Sequence, residues 1–107
     1  MDRLEDERFT RFLELKAAEA KQALKYNPNY FLAMLRSNGG YVTVNKLLVN
    51  KTPSDGFTKL WEGGRLDLSI EALVLETEWG RFFDEKLLEQ AQYKLKQVGY
   101  ECKRYEV

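Results

Sequence analysis

Apolar side chains along residues 3 to 25 recur at helical spacing: Leu4, Phe9, Phe12, Leu13, Ala17, Ala20 and Leu24 share one face, while Glu5, Arg8, Arg11, Glu14, Lys21 and Lys25 fall mostly elsewhere. The pattern predicts an amphipathic helix, strengthened by the alanine-rich stretch from Ala17 to Ala20 and by Glu7 and Arg11 one turn apart. Asn27-Pro28 interrupts it. Asn27 is placed to cap and Pro28 to occupy the first helical position of a second helix over Asn29 to Arg36. Asn38-Gly39-Gly40 stops that helix, because glycine takes up a positive φ without steric cost.

A short third helix is expected from about Thr43 to Val49. The β-branched run Val42-Thr43-Val44 would suit a strand, but Lys46-Leu47-Leu48-Val49 continues at helical spacing. The loop Thr52 to Gly56 carries cap chemistry, so a fourth helix starts at Ser54 or Asp55, carries Phe57, Leu60 and Trp61, and ends at Gly63-Gly64. Asp67 and Ser69 are alternative caps for a helix over about Leu68 to Glu76, whose apolar residues nearly surround its axis and call for burial on most sides. Trp79, Phe82 and Phe83 follow in a short link. Asp84 caps a last helix with Leu87, Leu88, Ala91, Leu95 and Val98 on one face, ending at Gly99. The tail from Tyr100 to Val107 is expected to be irregular or weakly extended. The fold class is therefore all-α: a compact single-domain bundle of five or six short-to-medium helices over residues 1–107, with a helix-turn-helix-like pair in the middle. The expected core comprises Phe9, Phe12, Phe31, Leu35, Leu47, Leu48, Phe57, Leu60, Trp61, Leu68, Ile70, Leu73, Val74, Phe83, Leu88, Ala91 and Leu95.

Composition narrows the function classes. The 107 residues suffice for one domain with a core of its own, and 44% hydrophobic content argues against disorder. The single cysteine, Cys102, excludes an intramolecular disulfide, and Met1 to Glu7 lack the apolar region of a secretory signal, so a reducing, cytosolic location is expected. No apolar run, Ala72 to Leu75 among them, approaches the roughly 20 residues of a membrane span. Histidine is absent, which removes the commonest metal ligand and the side chain best suited to proton transfer near neutrality.

Several blocks occur in order: Gly39-Gly40, Lys46-Leu47-Leu48, Ser54-Asp55-Gly56-Phe57-Thr58-Lys59-Leu60-Trp61-Glu62, Gly64 to Leu75, then Trp79 and Phe83. Over residues 26–100 they resemble a recurring small bacterial helical domain family of unassigned function, found alone or beside other modules. The resemblance implies a compact helical domain and no particular reaction. Residues 1–25, the amphipathic helix, lie outside it.

Seventeen basic residues balance seventeen acidic ones, but unevenly: residues 21–60 hold six basic against one acidic, residues 61–93 three against eight. Protein binding is the leading expectation. Glu62, Glu76, Glu78, Glu85 and Glu89 with Trp61 and Trp79 would form a carboxylate surface with aromatic anchors, suited to a basic partner such as a nuclease toxin. The alternative is a DNA-binding helix-turn-helix regulator, with Thr43, Asn45 and Lys46 at base edges and Lys51 and Lys59 on phosphates. No catalytic, cofactor-binding or metal-binding residues are assigned and no enzyme activity is expected. The pairs Glu14/Lys16, Glu19/Lys21 and Glu101/Lys103 match the residue types of a metal-dependent nuclease motif, but the first two lie in a predicted helix, where they cannot converge as that chemistry needs. Asp67 and Glu71, one turn apart, read as a cap and as a partner of Arg65. Cys102 has no histidine to activate it, and the glycine pairs lack the spacing of a phosphate-binding loop.

Overall fold

A computed structural model describes residues 1–106, and the described residues form an all-α bundle without strands. The five helices are α1 (Arg3–Leu24), α2 (Asn29–Val49), α3 (Asp55–Glu62), α4 (Ile70–Glu76) and α5 (Glu85–Gln97), with 3₁₀ turns at Leu66–Leu68 and Glu78–Phe82. Helix α1 starts with a reciprocal capping box: the Asp2 carboxylate accepts from the Glu5 amide and the Glu5 carboxylate from the Asp2 amide. It packs most extensively on α2, and α4 on α5. Phe9 and Leu13 from α1, Leu35, Val44 and Leu48 from α2, Val74 from α4 and Leu95 from α5 are almost wholly excluded from solvent.

The predicted break falls at Gly39, where φ is 81° and ψ 169°, and helical geometry resumes at once, so α2 is two limbs meeting at one residue. The second limb is therefore longer than the expected Thr43–Val49 segment. A helix start inside the protein needs acceptors for its free amides, and they come from α1: Thr10 Oγ1 accepts from the Gly40 amide and Asp6 Oδ1 from the Tyr41 amide, both at 2.8 Å. Thr10 in turn donates to its own helix at the Asp6 carbonyl. Across the break, Thr43 Oγ1 of the second limb donates to the Met34 carbonyl of the first at 3.1 Å.

Ser54, Ser69 and Asp84 cap α3, α4 and α5 through their side chains, as the cap chemistry predicts. Three details differ. Pro28, not Asn27, holds the cap position of α2 and offers no side-chain bond, since the helix begins one residue later than the Asn27 cap requires. Asp67 lies in the 3₁₀ turn ahead of α4 and caps nothing; it instead binds Arg65, whose guanidinium also reaches Glu19 on α1 at 2.9 Å. Glu71 is consequently not the partner of Arg65.

Trp61 departs from the expected core. Its two-turn helix turns Phe57 and Leu60 inward, and Trp61, the residue after Leu60, is left half exposed. Phe12, Phe31, Leu47 and Ile70 are half-buried at the margin of the core, whereas Leu66, Ala72 and Leu75 are buried within it. Residues 100–106 have no regular structure, yet they are tied down by Tyr105, whose amide donates to the Leu75 carbonyl at 2.7 Å, and by Arg104, paired with Glu85; the last residue of the expected tail, Val107, lies outside the described residues.

Candidate functional site

A cleft of about 240 Å³ lies between α1, the first limb of α2, α3 and α4, and a second concavity of about 460 Å³ lies between α4, the Glu78–Phe82 turn, α5 and Arg104–Tyr105. The origin of the first lies in residue size. Ala17 and Ala20 present only methyl groups toward the gap, so α1 leaves unfilled the space that Leu13 fills a turn earlier. Tyr26, Pro28, Tyr30 and Phe31 line it from the α1–α2 connection and the start of α2, Phe57 and Leu60 from α3, and Ile70 and Leu73 from α4. Tyr30 stands 81% exposed, so an aromatic ring is held in water beside an apolar recess. Burial and the Asp55 carboxylate raise the Tyr26 hydroxyl above its ordinary pKa.

Glu71 also lines this cleft, although it lies in the apolar run of α4 and is 4% exposed. Its Oε2 is 3.1 Å from Lys94 Nζ of α5, and the same ammonium donates to the Leu47 carbonyl at the end of α2. Both side chains are about 5% exposed. A lone buried charge is expensive and a paired, hydrogen-bonded one is tolerated, so the two residues need each other.

The structure disperses the carboxylates of the expected acidic surface among internal partners. Glu76 accepts from the Tyr100 hydroxyl at 2.9 Å and from the Lys103 amide. Glu78 pairs with Arg81 and Glu85 with Arg104. Trp79 belongs to an aromatic cluster, its ring centre 4.9 Å from that of Phe9 and 6.2 Å from that of Phe12. Glu62 and Glu89 are exposed and make no ion pair among the described residues, and Trp61 is exposed beside Glu62.

The base-reading role expected of the helix-turn-helix-like pair fails at Thr43. Its side chain is fully buried and committed to the Met34 carbonyl, so it cannot meet a base edge. Asn45 is half-buried, while Lys46, Lys51 and Lys59 are exposed. Among the described residues, none of the six cations of residues 21–60 takes part in an ion pair; every pair draws its cation from elsewhere in the chain.

Other chemistry finds little support in the geometry. Asp67 is bound to Arg65, whose hydrogen bonds hold its carboxyl below the usual range, and Glu71 is bound to Lys94, so the two do not share a cation. No group of three or more potential metal ligands occurs among the described residues. Burial raises the Cys102 thiol above its ordinary pKa, the reverse of what a nucleophilic cysteine needs. No helix among the described residues is long and apolar enough to cross a membrane.

The cleft was not foreseen in the sequence, where Ala17 and Ala20 register as helix formers and as one face of α1. Comparison with known proteins adds no analogy: no family model, curated protein or solved structure matches the chain.

Proposed function

We propose that the chain is a non-enzymatic protein-binding domain, and that the cleft between α1 and α4 receives an apolar side chain of its partner. The observation that carries this reading is the pairing of an apolar recess of about 240 Å³ with the solvent-exposed ring of Tyr30 beside it. Sites for small molecules and cofactors usually span roughly 300–1,000 Å³. This one is smaller and suits a single large side chain, the way a short segment anchors in a groove. The acidic surface with Trp61 and Trp79 is the less favoured docking site, because Glu76, Glu78 and Glu85 already have partners within the chain. A cytosolic location and kinship with the small bacterial helical domains belong to the same proposal, resting on the lone cysteine and on the residue blocks of the sequence.

Peptide display on the folded domain tests it. Selected peptides should share one large apolar position and lose binding when Ala17→Phe fills the recess, with helical content and melting unchanged. Binding indifferent to Ala17→Phe and to Tyr30→Ala would remove the cleft from the reading.

A further inference from the structure

The pairing of Glu71 with Lys94 leaves half of a buried carboxylate unused. Lys94 Nζ donates to Glu71 Oε2 at 3.1 Å, whereas Oε1 accepts no hydrogen bond among the described residues, although the side chain is only 5% exposed. No fully buried side-chain oxygen or nitrogen among the described residues lacks a partner, so Oε1 keeps an opening to solvent. Glu71 lines the cleft, and so does Leu47, whose carbonyl accepts from the same Lys94 ammonium. The recess is thus walled largely by apolar and aromatic side chains and offers one spare, strongly accepting oxygen. The other charged residues of the lining are Lys16, which pairs with Glu19, and Asp55, which is exposed.

We infer that the anchor side chain of the partner is a tryptophan, whose indole N–H donates to Glu71 Oε1 while its ring occupies the apolar recess. This rests on the cleft being the docking site, and it states what the anchor must offer there. A Phe or Leu anchor would shut Oε1 off from water and leave a buried acceptor unpaired, which costs affinity. A Lys or Arg anchor would bring a second cation beside the Lys94 ammonium, and an acidic anchor would face the Glu71 carboxylate itself. The indole is neutral, large and apolar, and its nitrogen only donates, so it meets both demands at once.

Titrating four probes into the isotope-labelled protein, with the backbone amide resonances of the lining residues Gly56, Ile70 and Glu71 as the readout, decides it. The probes are N-acetyltryptophanamide, its analogue methylated on the indole nitrogen, N-acetylphenylalaninamide and N-acetyllysinamide. The tryptophan probe should bind about tenfold more tightly than the methylated and phenylalanine probes. That preference should vanish in the Glu71→Leu, Lys94→Met double variant, which removes the acceptor and fills both positions with apolar side chains. Equal affinity of the tryptophan and methylated probes for the native protein would overturn the donor while leaving the cleft in place. A preference that survives in the double variant would assign it to ring shape and overturn the inference as well. Tighter binding of the lysine probe would overturn it in favour of a cationic anchor. Lining amides undisturbed by every probe would remove the cleft itself, and the inference with it.

Discussion

Asp6 Oδ1 accepts the amide hydrogen of Tyr41 at 2.8 Å across 35 residues of chain, and so caps a helix to which it does not belong. The bond exists because Gly39 breaks α2 and leaves the following amides without helical acceptors. Gly39 combines φ 81° with ψ 169°, a region essentially reserved for glycine, and a Cβ there would sit 2.5 Å from Asp6 Oδ2. Asp6→Ala should therefore cost about 1–2 kcal/mol in urea unfolding, the range of a lost cap. Gly39→Ala should cost more, about 3 kcal/mol, from strain and collision together. Equal stability of Asp6→Ala and the native chain would show that water replaces the carboxylate at the break.

The Glu71–Lys94 pair predicts a non-additive pattern. Lys94→Met alone leaves a buried carboxylate without its cation and should destabilise by about 3–5 kcal/mol. Combining it with Glu71→Leu should restore most of that loss, because two well-packed apolar side chains replace a desolvated pair. A double mutant as unstable as the single one would point to the Lys94–Leu47 hydrogen bond as the larger contribution.

The two tryptophans should separate cleanly. Trp79 packs on Phe9, Phe12 and Phe82, whereas Trp61 is half exposed. Trp79→Ala should cost about 3 kcal/mol and Trp61→Ala under about 1 kcal/mol. A collisional quencher applied to single-tryptophan variants should reach Trp61 readily and Trp79 poorly.

Alkaline pH should loosen the tail. Burial, followed by the hydrogen bond to Glu76, raises the Tyr100 hydroxyl above its ordinary pKa of about 10. With the folded-state pKa above the unfolded one, the stabilisation is complete below about pH 10 and is lost as pH rises toward the folded value. Stability followed by chemical denaturation should be level through neutrality and fall above about pH 10. Tyr100→Phe should be less stable at neutral pH and lose this part of the decline.

Gly80 marks a close approach of backbone to backbone. A Cβ at that position would collide with the Val74 carbonyl, which belongs to α4 and has little freedom to move. Gly80→Ala should cost about 1–3 kcal/mol by thermal unfolding. A neutral result would mean that the 3₁₀ turn Glu78–Phe82 shifts without penalty.

Much of the fold is legible where its causes are local. Ser54, Ser69 and Asp84 cap the helices they precede, and Gly39 breaks a helix where a positive φ was expected. Determinants acting across the chain are not visible to such a reading. Asp6 and Thr10 look like ordinary residues of an amphipathic helix until α2 is docked beside them. Glu71 reads as a partner of the nearby Arg65 until Lys94, 23 residues away, is brought against it. Trp61 reads as core because its spacing to Phe57 is helical, but an eight-residue helix has only one face to bury. The cleft is the hardest to foresee, since a void is made by what Ala17 and Ala20 lack.

The lone thiol gives the tail a built-in clock. Cys102 is half-buried and lies between the Tyr100 hydroxyl bond to Glu76 and the Arg104 pair with Glu85. A thiol reagent meets it most readily when those ties let go. Its rate of modification, compared with that in the unfolded chain, converts into the free energy of lifting this one segment, with no probe added to the sequence.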